Sequence, residues 1–300
     1  MSIAALFWTL RPHQWVKNSF VLVPLVFSKH LLTSTYVVTA LGALGLFCLA
    51  SGVVYLINDL VDVERDRNHP VKRNRPIAAG ELSIGAARLA AAVLGPSVLL
   101  GGYLLSRPLA LVLAGYITLN LFYSIVLKHL PYLDVLSIAA GFLLRVLGGA
   151  LALGVPASTW LLVCTGLLAC YLGLGKRAHE LANLGDEARK ARAVLARYRL
   201  AHVEIVMLVT AVATLAAYVT YTVSAETQTH FGTRYMAATG PFTLIGLLRF
   251  YQLVTRPHRK SSPTDEMLRD PLFMGNIALW AAAAVLALRG LQVVEDAVDE

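Results

Sequence analysis

The strongest constraint on this chain is a series of apolar runs close to twenty residues long, the length a helix needs to cross the hydrocarbon core of a bilayer. They fall at 37–57, 84–105, 109–127, 132–153, 160–174, 203–223, 236–253 and 272–288. A ninth, 18–32, is shorter and is interrupted by Lys29 and His30. It is counted because the next run begins only a few residues later. The expected fold class is all-α, a polytopic membrane protein of about nine transmembrane helices. Strand-like alternation is absent, which argues against a barrel. Composition agrees: 57% of the 300 residues are hydrophobic and 15% charged, against about 25% charged in a soluble domain. Disorder, collagen-like structure and coiled coil are excluded on the same ground. No appended soluble domain, internal repeat or cleaved signal peptide is expected, so residues 1–300 read as one transmembrane domain. Cys48, Cys164 and Cys170 lie in apolar runs without metal-ligand spacing and read as packing residues.

Lys and Arg set the orientation. With a cytoplasmic N-terminus, 19 of the 26 Lys and Arg fall in cytoplasmic connections, 4 outside and 3 within runs. The expectation is an integral plasma (inner) membrane protein whose N-terminus and working face are cytoplasmic. The longer connections, 58–83, 175–202 and 255–271, carry the polar residues on that face. The net charge of +8 favours anionic partners such as membrane lipid or phosphorylated substrates. Nucleic acid is not expected, because the basic residues follow the membrane topology. Arg189–Arg199 reads as an interfacial helix on anionic lipid. Gly148 and Gly149, with Ala150, allow close helix approach.

The most informative stretch runs from Tyr55 through Asn58, Asp59, Asp62 and Asp66 to His69. The three aspartates stand at i, i+3 and i+7, on one face of a helix, with Asn58 beside them. Like charges on one stripe repel, and a divalent cation between them relieves that. Hard oxygen ligands suit Mg²⁺, which prefers a few carboxylates plus substrate phosphates. Lys72, Arg73 and Arg75 follow within a few residues and supply cations for phosphate oxygens. The competing reading is a solvated helix extension.

The segments NDLVDVERD and KRNRPIAAG resemble the first aspartate motif of the UbiA superfamily of intramembrane prenyltransferases. The resemblance implies nine helices around a central cavity open to the cytoplasm, with Mg²⁺ and a diphosphate held by two aspartate-rich loops. The place of the second loop reads Leu174-Gly-Lys-Arg-Ala-His-Glu-Leu, with one acid, Glu180, beside Lys176, Arg177 and His179. Together with Arg11-Pro-His-Gln-Trp-Val-Lys-Asn and Leu127-Lys-His, this is similar to a branch that transfers 5-phosphoribose from phosphoribosyl diphosphate to a polyprenyl phosphate of decaprenyl type. That donor carries more negative charge than an isoprenoid diphosphate, and Lys176 and Arg177 in place of acids fit the difference.

The resemblance implies that Asp59, Asp62 and Asp66, assisted by Asn58, hold Mg²⁺ against the diphosphate. Glu180 is expected at a ribose hydroxyl or the metal. Lys17, next to Asn18, reads either as a lysine facing lipid headgroups or as a phosphate ligand, and Lys128 shares that ambiguity. Arg145 lies within an apolar run, where a charge faces a cavity or a structural partner. Asp134 is about 16 Å away along the same helix, out of its reach. Tyr55 and Tyr123 either line the site or pack. No general base is expected, since a phosphate monoester is largely ionised near neutral pH. The alternatives are a prenyltransferase acting on an aromatic or other small acceptor, and a non-enzymatic transporter or lipid-binding protein. The sequence leaves room for a homo-oligomer.

Overall fold

A computed structural model describes residues 2–28, 30–191, 193–256 and 263–289. It is helical throughout, with no strand among the described residues. The chain divides into two compact units. One comprises Met1–Lys128 and Ala140–Ser158, the other His129–Ala139 and Thr159–Glu300.

In the first unit, α1 (Ile3–Thr9) leads through a 3₁₀ segment, Pro12–Leu22, into the short α2 (Val23–Phe27). Then come α3 (Ser34–Val61), α4 (Val63–Arg67), α5 (Ile84–Leu105), α6 (Arg107–Ile125) and the larger part of α7 (Leu133–Leu153). Ser2 and Ser83 cap α1 and α5, their hydroxyls accepting from the amides of Ala5 and Ala86. Val21, Phe47, Leu109, Leu113 and Tyr116 form the middle of one core cluster, where α3, α5 and α6 meet. Gly148 and Gly149 behave as their small size suggests. A Cβ on Gly149 would lie 2.0 Å from the carbonyl oxygen of Val21, and one on Gly148 would lie 2.5 Å from the Phe47 ring.

The second unit holds α8 (Thr159–Ala191), α9 (Leu200–Val223), α10 (Ala225–Phe231), α11 (Gly240–Thr255), α12 (Pro263–Arg269) and α13 (Pro271–Arg289). Tyr171, Leu195, Met207 and Phe250 centre its core. The basic stretch around Arg189–Arg199 does not form one helix. Helix α8 ends at Ala191, and Ala193–Arg197 is a 3₁₀ turn whose Val194 and Leu195 are buried. The side chains of residues 184–193 lie outside the description. Lys29 also lies outside the described residues.

Among the described residues, six helices are long and apolar enough to cross a membrane: Ser34–Val61, Ile84–Leu105, Arg107–Ile125, Leu133–Leu153, Thr159–Asn183 and Leu200–Val223. They mark an integral membrane protein. The remaining expected runs are shorter. Helix α11 has 16 residues and the apolar part of α13 is Pro271–Ala287. The run 18–32 is split between the 3₁₀ segment and α2, which has Pro24 in its first turn. Proline lacks the amide that would extend a helix back through that point.

Candidate functional site

Helix α3 is 28 residues long, about 42 Å at 1.5 Å per residue. That exceeds a hydrocarbon core of about 30 Å, so its last turns, with Asn58 and Asp59, can stand clear of lipid tails. Between α3 and α4 the backbone loosens at Asp62, with φ −92° and ψ 7°. The hydrogen bonds nevertheless run on, from the Asp62 amide to the Asn58 carbonyl at 2.9 Å and from the Asp66 amide to the Asp62 carbonyl at 2.8 Å. The i, i+7 spacing thus survives the break.

Asp59 and Asp66 are 2% and 1% exposed. Buried carboxylates need partners, and theirs are two arginines. Arg75 Nη1 donates to Asp59 Oδ1 at 3.0 Å and to Asp66 Oδ2 at 2.6 Å. Arg11 Nη2 donates to the same Asp59 oxygen at 2.6 Å, and its guanidinium lies 4.6 Å from the Tyr55 ring centre. Asp66 Oδ1 is buried without a hydrogen-bond partner. Asp62 is half-buried and makes no side-chain bond among the described residues. There no three His, Cys, Asp or Glu side chains come together as a metal-binding group. Of the stripe, Asp59 and Asp66 converge on Arg75 instead of on one another. Lys72 is half-buried and Arg73 exposed, close in sequence to Arg75. The His69 ring accepts the amides of Val71 and Lys72 at Nδ1 and so shapes that turn.

Arg11 is the residue that motif reasoning passed over. Its backbone is left-handed, with φ 54° and ψ 63°, and it precedes Pro12. A non-glycine residue held there costs on the order of 1–3 kcal/mol, and a following proline restricts it further. The signal was present in the Arg11-Pro segment, but its target, Asp59, is 48 residues away.

Asn18 and Arg145 meet in the interior of the same unit. Arg145 is 8% exposed. It donates to Asn18 Oδ1 at 2.8 Å, to the Gly141 carbonyl at 3.0 Å and to the Tyr116 hydroxyl at 2.7 Å. All three partners are neutral. Asn18 is fully buried and donates onward to Ser51 Oγ at 3.3 Å. Lys17 donates to Gln14 at 2.6 Å and is half-buried, as are Tyr123 and Lys128.

The second unit carries a separate polar cluster. Arg177 is fully buried. Its Nε lies 3.1 Å from Asp134 Oδ2, and its Nη1 is paired with Glu180. Nη2 has no hydrogen-bond partner. Asp134 also accepts from the Tyr198 hydroxyl at 2.5 Å, and that hydroxyl accepts the Tyr132 amide at 2.6 Å. Burial, then the bond to Asp134, push the Tyr198 phenol well above its ordinary range. Lys176, one residue before Arg177, is exposed. Gly175 has a packing reason, since a Cβ there would lie 2.4 Å from the Phe250 ring.

The family model of the UbiA prenyltransferase family matches residues 19–277. The chain belongs to the UbiA prenyltransferase family. Among similar proteins is the decaprenyl-phosphate phosphoribosyltransferase of Corynebacterium glutamicum, 32% identical over 93% of this chain and 85% of that protein. The protein of the same name from Mycobacterium tuberculosis is 32% identical over 95% of each chain. Among solved structures, a UbiA homolog from Archaeoglobus fulgidus bound to GPP and Mg²⁺ superposes with a TM-score of 0.69. It is 16% identical, over 95% of this chain and 99% of that one, a likeness of fold. This UbiA family member is thus all-helical, with the fold of its solved neighbours.

Proposed function

We propose that this UbiA family protein transfers 5-phosphoribose from 5-phosphoribosyl 1-diphosphate to a polyprenyl phosphate of decaprenyl type, releasing diphosphate. The observation that carries this reading is similarity, over 93% and 95% of the chain, to two proteins named decaprenyl-phosphate phosphoribosyltransferase. The site geometry supports it. A prenyltransferase of the usual kind needs a second acidic motif, whereas this part of α8 offers the single acid Glu180, already paired with Arg177.

The residues present fit Mg²⁺. Asp59 and Asp66 are buried hard-oxygen donors, and Asp66 Oδ1 lacks a partner. Those two, with Asp62 and Asn58 beside them, would hold the ion. Bound there, Mg²⁺ supplies positive charge against which a diphosphate can leave. Arg75 and Arg11 donate to the diphosphate oxygens, with Lys72 and Arg73 adding charge from the same segment. The bond from ribose C1 to the diphosphate oxygen breaks and its electron pair departs with the diphosphate. An oxygen of the lipid phosphate forms the new bond to C1. That oxygen is already ionised, so no residue removes a proton. Lys176 meets a phosphate, and Arg177 fixes Glu180 to accept from a ribose hydroxyl. Lys17 and Lys128 serve as further phosphate ligands, and Tyr55 and Tyr123 as lining. Asn18 and Arg145 act as positioning residues behind them.

The proposal includes one transmembrane domain of nine membrane-crossing segments, around a cavity open to the cytoplasm, in the plasma membrane. The test is purified protein with Mg²⁺, labelled phosphoribosyl diphosphate and decaprenyl phosphate. Labelled lipid is expected, and none with Asp59→Asn or Asp66→Asn. Absence of labelled lipid with folded wild-type protein, or turnover of geranyl diphosphate with an aromatic acceptor, overturns the reading.

A further inference from the structure

The carboxylates assigned above to Mg²⁺ are held by guanidinium groups. Arg75 bridges Asp59 and Asp66, and Arg11 takes the Asp59 oxygen that Arg75 also uses. Two buried negative charges are thereby matched by two positive ones. A bare dication reaching this pair meets four charges that cancel, with the Asp62 carboxylate alone beside them unmatched among the described residues. It must push a guanidinium aside and leave that charge close by, in surroundings where water screens little. A diphosphate arriving with the ion reverses the balance. It brings negative charge, and oxygens to which both arginines can donate. Arg11 is suited to such a handover, because it reaches Asp59 from a strained turn outside α3 and rests on the Tyr55 ring.

We propose that Arg11 and Arg75 lock the Asp59–Asp66 pair against a free dication, so that metal loads only together with the diphosphate, whose oxygens take over the two guanidinium groups. This rests on the metal assignment made under the proposed function. The loading order and the role of Arg11 go beyond it. Coupling of this kind is reciprocal, so diphosphate and metal must raise each other's affinity by the same factor.

Equilibrium dialysis of the full-length protein in detergent with radioactive Mn²⁺ tests it, because Mn²⁺–diphosphate in solution equalises across the membrane and only protein-bound metal remains in excess. Wild-type protein should retain little Mn²⁺ alone and one equivalent when inorganic diphosphate is present. Arg11→Gln should raise the affinity for Mn²⁺ alone by about 5- to 150-fold, and Asp59→Asn should abolish retention in both conditions. Arg75→Gln carries the same comparison if Arg11→Gln does not fold. Wild-type retention that is equally tight with and without diphosphate overturns the lock and leaves the metal site standing. No gain in a folded arginine variant also overturns it. No retention even with diphosphate overturns the metal assignment as well.

Discussion

Arg177 and Lys176 are neighbours with opposite situations, and substitution should separate them. Arg177 is fully buried between Asp134 and Glu180, whereas Lys176 is exposed. Removing one partner of a buried ion pair strands the other, at a cost of about 3–5 kcal/mol. Arg177→Ala should therefore lower the melting temperature in detergent sharply. Lys176→Ala should leave the melt within error and raise KM for phosphoribosyl diphosphate. A stable Arg177→Ala protein with a raised KM alone would place Arg177 among the direct ligands instead. The contrast also shows what sequence could supply at this scale. The GKR segment was visible as a cationic motif, and Asp59 and Asp66 as an acidic stripe, because both are local patterns. The partners Asp134 and Arg11 were not visible as such. Each sits far along the chain from the residue it holds, and only packing brings them together.

At the scale of elements, two glycines and one ion pair show how neighbours meet. Gly149 faces the Val21 carbonyl and Gly175 faces the Phe250 ring at distances that exclude a Cβ. A carbonyl oxygen belongs to the backbone and cannot swing away, so Gly149→Ala should cost about 1–3 kcal/mol through overpacking, read as a lower melting temperature. Gly175→Ala should cost less, because the Phe250 ring can turn. Helices α11 and α13 are joined by Arg249, which donates to both oxygens of Asp270 at 3.0 and 2.6 Å. Asp270 also accepts the Phe273 amide at 2.8 Å, capping α13. The Arg249 hydrogen bonds, chiefly, hold the Asp270 carboxyl below its ordinary range. A lowered carboxylate adds stability that is fully present above the unfolded pKa of about 3.9 and is lost as pH falls through the folded value. Asp270→Asn should flatten that acid limb of the melting curve and leave the plateau near neutrality lower. Helix α8 shows where pattern reading stopped short. Its apolar run ended near Leu174, yet the helix continues to Ala191, through residues of high helix propensity such as Ala, Leu, Glu and Lys. Polarity ended the membrane segment without ending the helix.

At the scale of the molecule, the apolar runs made the helical membrane fold legible from sequence, because bilayer thickness imposes a length that composition cannot disguise. The number of crossings was harder to read. The run 18–32 is largely apolar, but Pro24 and a 3₁₀ path break it, and α11 is only 16 residues long. Orientation rests on the 19 to 4 division of Lys and Arg, a bias that acts during insertion and leaves no mark on the folded contacts. Cysteine labelling in intact cells separates the two orientations. Asn74 and Arg234 are both exposed and lie on opposite faces in the proposed topology. Cys48 is buried, and Cys164 and Cys170 are partly buried within an apolar span, so the native thiols give a low background. A membrane-impermeant maleimide should modify Arg234→Cys in intact cells, and Asn74→Cys only after the membrane is opened. The reverse pattern would put the aspartate pair on the outer face, away from any cytosolic phosphoribosyl diphosphate, and would defeat the proposed reaction even if the metal binds as described.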